Sequence, residues 1–164
     1  MALAKQPTKY RYLTMSDYNG KFTIPAGDPN YEIAAEATFA VDTQLVWLQP
    51  HMHLRGKDMT IRSVYPTGES ETLLSVPNYD FHWQIVYYEE KPIHMPKGTR
   101  LELTAHWDNS ANNKWNPDPT ATVHWGDQSW QEMLAAPMAV IIDRSVDPKT
   151  VVSDGQFSGN AGAE

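Results

Sequence analysis

Clusters of Pro, Gly, Asn and Asp cut this chain into short apolar or alternating runs, and none of those runs repeats with a helical period. In residues 99–107, Leu101, Leu103 and Ala105 alternate with Glu102, Thr104 and His106, the period of a strand with one buried face. Pro66-Thr67-Gly68-Glu69 separates the runs 59–65 and 71–76. Proline pre-sets one turn position and glycine accepts positive φ, so the two runs should form a hairpin. Further strands are expected at residues 21–24, 31–40, 44–49, 81–88, 120–125 and 137–143, with one short helical turn within 126–133. This pattern predicts an all-β fold, an antiparallel β-sandwich of jelly-roll-like type. Residues 1–20 read as an arm lying over the domain, 21–150 as one domain, and the Gly, Ser, Ala and Asn-rich 151–164 as a flexible tail.

Composition narrows the functional classes. The chain has 164 residues, enough to bury a core without covalent staples. No apolar run approaches the roughly 20 residues of a membrane span. A formal charge of −7 argues against nucleic-acid or anionic-membrane partners, which demand clustered Lys and Arg. Cysteine is absent, so disulfides, iron–sulfur clusters, thiolate zinc sites and cysteine nucleophiles are excluded. Histidine, methionine and carboxylates remain as metal ligands. Residues 1–5 lack the apolar segment of a signal peptide. The expectation is an extracytoplasmic protein, periplasmic or secreted, with its leader removed; a cytosolic protein is the alternative.

The apolar run 45–48 leads into Gln49-Pro50-His51-Met52-His53-Leu54-Arg55-Gly56-Lys57. On a continuing strand His51 and His53, two apart, point to the same face and converge. Such a pair suits copper, zinc, iron or nickel, or is simply solvated or hydrogen-bonded, and a third ligand has to decide. His106 lies on the polar face of its strand and is a candidate fourth ligand. His82 and His94 have no partner at ligand spacing. Two other features have competing explanations. Six tryptophans should be mostly core, with Trp115 in a long polar loop the best candidate for carbohydrate stacking. The oxygen-rich loop 108–118 has the donors for calcium, although turn chemistry accounts for the same residues.

Over residues 24–133 six motifs follow in order: Pro25-Ala-Gly-Asp-Pro-Asn-Tyr31, Pro50-His-Met-His-Leu-Arg-Gly-Lys57, Tyr79-Asp-Phe-His-Trp-Gln84, Pro96-Lys-Gly-Thr-Arg100, Ala105-His-Trp-Asp-Asn-Ser110 and Trp125-Gly-Asp-Gln-Ser-Trp-Gln-Glu-Met133. Together they resemble the C-terminal copper domain of the copper type II, ascorbate-dependent monooxygenases, the family of peptidylglycine α-hydroxylating and dopamine β-monooxygenases. The likeness is greatest to bacterial relatives in which such a domain follows a cytochrome c module. The resemblance implies one copper ion, cycling between Cu(I) and Cu(II), held by His51, His53 and Met133. It also implies a role for His124 as a donor beside the copper or an alternative ligand, and hydroxylation of an aliphatic C–H bond with electrons from ascorbate or a c-type cytochrome.

Two departures bear on substrate and electrons. Gln49 stands where peptide-hydroxylating members carry an arginine for the substrate carboxylate, and Leu134-Ala-Ala-Pro137 follows the methionine in place of further polar contacts. Nothing in the sequence could fold as the family's separate three-histidine copper domain. The rival readings are therefore a copper-binding or electron-transfer module without a substrate of its own, or a metal-stabilised binding sandwich.

Overall fold

The computed structural model describes residues 6, 8–154 and 156–160. The strands, in chain order, are β1 (Tyr10–Asn19), β2 (Thr23–Ile24), β3 (Tyr31–Phe39), β4 (Thr43–Leu48), β5 (Gly56–Val64) and β6 (Ser70–Val76). They continue with β7 (Tyr87–Met95), β8 (Arg100–Trp107), β9 (Val123–His124), β10 (Leu134–Asp143), β11 (Val152–Asp154) and β12 (Gln156–Asn160). One five-stranded sheet has the order β12-β1-β10-β4-β7, a second has β11-β3-β8-β5-β6, and β2 pairs with β9 in a small ribbon. Every strand pairing is antiparallel. The fold is the antiparallel sandwich that the alternation predicts.

The alternation also builds the core. Leu13 and Met15 of β1, Leu45 and Leu48 of β4, and Met138, Val140 and Ile142 of β10 are buried between the sheets. They meet Ile33 and Phe39 of β3, Met59 and Ile61 of β5, and Leu101, Leu103 and Trp107 of β8. Interdigitation of two such faces is the main stabilisation of a sandwich, about 25 cal/mol per Å² of apolar surface removed from water. The hairpin forms as expected: β5 pairs with β6, Tyr65 N–H donates to Glu69 O at 2.8 Å, and Gly68 adopts φ +90°. A β-carbon would be strained at that φ.

Several expectations are corrected. Residues 10–19 are not an arm: β1 pairs with β10 from Tyr10↔Asp143 to Asn19↔Leu134 and lies inside its sheet. Its inward row of Leu13, Met15 and Asp17 contains a carboxylate and its outward row three tyrosines, which disguised the period. The tail is also paired, β11 with β3 and β12 with β1, while Gly155 and residues 161–164 lie outside the described residues. Residues 1–5 and 7 of the expected arm also lie outside them. The strand expected at 81–88 starts only at Tyr87 and runs to Met95 through Pro92, tolerated because β7 is an edge strand. The strand at 120–125 shrinks to Val123–His124. The short helical turn within 126–133 is replaced by a non-helical turn in which Gln131 N–H donates to Gln128 O at 2.8 Å. Of the tryptophans only Trp107 is fully buried, whereas Trp83, Trp115 and Trp130 are large exposed surfaces.

Two buried carboxylates stand out. Asp17 on β1 and Glu132, just before β10, are both 0% exposed. Glu132 is hydrogen-bonded to the histidine segment. Among the described residues no well-formed hydrogen bond reaches either oxygen of Asp17.

Candidate metal centre

Beyond Leu48 the chain keeps its contact with β10. Gln49 N–H donates to Pro137 O at 2.8 Å, and His51 exchanges both backbone hydrogen bonds with Ala135, at 2.9 and 3.1 Å. His51 therefore continues β4 past its formal end. Beyond it, side chains take over the backbone groups that a ladder would otherwise satisfy. The Tyr79 hydroxyl accepts from Met52 N–H at 3.0 Å and donates to Met52 O at 2.7 Å. Burial pushes this phenol well above its ordinary range. Gly56 permits the approach, since a β-carbon there would lie 2.8 Å from the Tyr79 ring.

Glu132 secures the next two peptides. Its Oε2 accepts from His53 N–H at 2.9 Å and its Oε1 from Arg55 N–H at 2.7 Å. The Trp107 indole donates to Oε2 at 2.9 Å. Burial raises the Glu132 carboxyl to about 7, against the lowering pull of these donors and of the Arg55 charge. The Arg55 side chain is itself 1% exposed and donates to Asn109 Oδ1 and Trp130 O, each at 2.8 Å. A buried cation, a buried anion and an indole thus clasp the histidine segment from beneath.

Above the clasp the two imidazoles lie on one side, as the spacing predicts, with ring centroids 5.3 Å apart and planes at 85°. His51 Nδ1 is 2.7 Å from Gln84 Oε1. Gln84 Nε2 donates to Phe81 O at 2.9 Å, which turns the amide oxygen toward the imidazole and makes Nδ1 the donor. His53 Nδ1 is 3.2 Å from Gln131 O, and a carbonyl only accepts, so this Nδ1 also carries its proton. In a neutral ring with its proton on Nδ1 the lone pair sits on Nε2, the arrangement of metal-binding histidines whose second nitrogen is fixed by a carbonyl. Burial lowers the His53 pKa, and His51 nearby adds to the shift. The neutral, ligating imidazole is favoured.

Met133 lies two residues before Ala135. His51 pairs with Ala135, and residues opposed in an antiparallel ladder project to the same side. Met133 is half-buried, and the paired ladder ends on its side at Ala135. Among the described residues no group of three or more His, Asp or Glu is placed to hold a metal. Two imidazoles and a thioether are a donor set suited to Cu(I), so the residues present fit the ion that the sequence resemblance implies.

The lower-ranked histidines lie elsewhere. His124 is exposed on β9, and its Nδ1 is 3.1 Å from Thr23 Oγ1. His106 lies on the outer face of β8 with Nδ1 2.7 Å from Asp58 and Nε2 3.2 Å from Glu32, so both ring nitrogens are engaged across three strands. Among the described residues no hydrogen bond or ring contact joins either one to His51 or His53. Asp80 bonds His82 and Tyr79 bonds Met52, so neither reaches the imidazoles directly. The oxygen-rich loop is held by its own turns: Asp108, Asn113, Asn116 and Asp118 each accept a backbone N–H two residues on. Gln84, Gln131, Glu132 and Trp107 were not singled out in the sequence, although all four lie within motifs quoted above and a glutamate ahead of an apolar strand is itself a signal of burial.

Comparison with protein-family models and with curated proteins returns no match for this chain.

Proposed function

We propose that this chain is a mononuclear copper protein of the oxygen-activating type, with His51, His53 and Met133 as its ligands. The observation that carries the reading is the pair of imidazoles on one face, each with its Nδ1 beside a carbonyl oxygen. A bound copper ion would supply one-electron redox chemistry and an open position for dioxygen. The chain's own residues do the rest. Gln84 and Gln131 hold the ring tautomers, Glu132 and Tyr79 fix the peptides between the rings, and Phe81, edge-on to His53 with centroids 5.8 Å apart, walls one side with apolar surface. Gln49, two residues before His51 on the same strand direction, offers a neutral amide and favours a substrate without a carboxylate at that position. Hydroxylation of an aliphatic C–H bond, with electrons from ascorbate or a c-type cytochrome, is the activity in keeping with the sequence resemblance.

The test is anaerobic Cu(I) titration of the metal-free protein against a competing chelator. The expected result is one tight equivalent in the wild type and none in His51→Ala or His53→Ala. Met133→Ala should weaken Cu(I) at least tenfold and leave Cu(II) nearly unchanged; equal loss for both ions would remove the thioether from the site. Absence of tight copper in the wild type would end the reading. Oxygen uptake by the reduced protein with ascorbate present then separates an enzyme from an electron-transfer module.

A further inference from the structure

A second cleft opens on the far side of Phe81. It encloses about 340 Å³, at the low end of the roughly 300–1,000 Å³ typical of ligand sites. Its walls come from the segment after His53, the turn 78–81 and the loop 108–115. Trp115 stands at its edge, 48% exposed, with the His82 ring against it at 4.8 Å and the Lys114 ammonium over its face at 4.8 Å. The loop beneath Trp115 is fixed: its N–H donates to Asn113 Oδ1 at 3.0 Å, and Asn113 Nδ2 donates to Asp108 O at 2.9 Å and to Leu54 O at 3.4 Å. An indole held exposed by a braced loop needs an explanation beyond packing, because the other side of the same loop buries Asn109 and Ser110 completely or nearly so.

The rest of the cleft is polar and balanced in charge. Lys57 and Lys114 offset Asp80 and Asp108, so a ligand with net charge gains little there. Asn78 and Asn112 also line it, and amides beside carboxylates supply the mixed donors and acceptors that vicinal hydroxyls require. Asp80 uses Oδ1 for His82 and Asp108 uses Oδ1 for Ser110 N–H, which leaves the second oxygen of each without a described partner.

We propose that this cleft binds a neutral pyranose, its C–H face stacked on Trp115 in place of the Lys114 ammonium and its hydroxyls bonded to the aspartates and asparagines of the walls. The carbon-bound hydrogens of an all-equatorial β-glucosyl ring make a flat apolar face, and its edge carries the hydroxyls, which matches one aromatic wall and one polar wall. The cleft and the imidazole pair share Phe81, so a saccharide chain anchored here would pass beside His53.

The probe is cellotetraose, titrated into the full chain by calorimetry and by tryptophan fluorescence, with Asn side-chain amide resonances followed in the same titration. The expected result is saturable binding in the range of high micromolar to millimolar Kd, with Asn78 and Asn112 amides shifting. Trp115→Ala should weaken binding at least tenfold and Asn112→Ala several-fold, while Trp115→Phe retains most of it. Unchanged Cu(I) affinity and an unchanged melting temperature in Trp115→Ala would show that the loss is local. Absence of binding in the wild type overturns the proposal, as does binding that survives Trp115→Ala and disappears in Trp83→Ala or Trp130→Ala.

Discussion

Glu132 and Asp17 have the same functional group and the same exposure, 0%, and burial drives both carboxyls up to about 7. They differ in what surrounds them. Glu132 accepts from two backbone N–H groups and the Trp107 indole, with Arg55 close by as a compensating charge. Among the described residues no well-formed hydrogen bond reaches either oxygen of Asp17; the adjacent Tyr18 N–H pulls its pKa down, and Glu36 nearby adds repulsion. Removing a carboxylate from water is unfavourable in both places, and at Glu132 three hydrogen bonds offset part of that cost. The first is a structural clasp for the histidine segment. The second is a weakness that the fold tolerates, and burial alone does not distinguish the two.

Isosteric amides test that contrast most sharply. Glu132→Gln should destabilise the protein by about 2–4 kcal/mol in urea unfolding, because the amide turns donors toward donors and leaves Arg55 uncompensated. A loss near zero would show that the clasp contributes nothing. Asp17→Asn should act in the opposite direction, raising stability at pH 8 by roughly 1–3 kcal/mol and leaving it nearly unchanged at pH 4.

The pH dependence follows from the direction of the shifts. Asp17 rises from 3.8 and Glu132 from 4.5, so each binds its proton more tightly in the folded state. Their contribution is complete below those unfolded values and is lost as pH climbs to about 7, at up to about 1.4 kcal/mol per pH unit for each group. Asp17→Asn should remove one proton's worth of that slope. An unaltered slope would mean that Asp17 is ionised and has found a partner.

Smaller effects separate holding the chain from holding the rings. Tyr79→Phe removes both bonds to the Met52 peptide and should cost about 1–1.5 kcal/mol. Gln84→Ala should leave unfolding within about 0.5 kcal/mol yet loosen copper roughly 10–100-fold, since it frees only the His51 ring. A Gln84→Ala variant that binds copper like the wild type would show that the amide is not needed to present Nε2.

Much of the architecture was legible along the chain. Alternation at 101–106 placed β8, and Pro66 and Gly68 placed the hairpin, because strand period and turn chemistry are local properties. The strand least legible was β1, where Asp17 occupies a core position and Tyr10 and Tyr12 face outward at 49% and 52% exposure. Its polarity runs against its burial, and only pairing with β10 along its full length reveals it. The tryptophans misled in a similar way, because their size suggests burial while the loops that carry Trp83, Trp115 and Trp130 hold them at the surface.

Sequence spacing alone determined that His51 and His53 share a face, since residues two apart on an extended chain project to the same side. The lack of cysteine likewise limited any soft ligand to methionine. Tertiary structure decided the rest. Which ring nitrogen carries the proton depends on Gln84 and Gln131, 33 and 78 positions away, and the peptide beneath His53 depends on Glu132, 79 positions away. Partners at such separations are set by how the strands pair and how the two sheets stack, and no local period in the chain records that geometry.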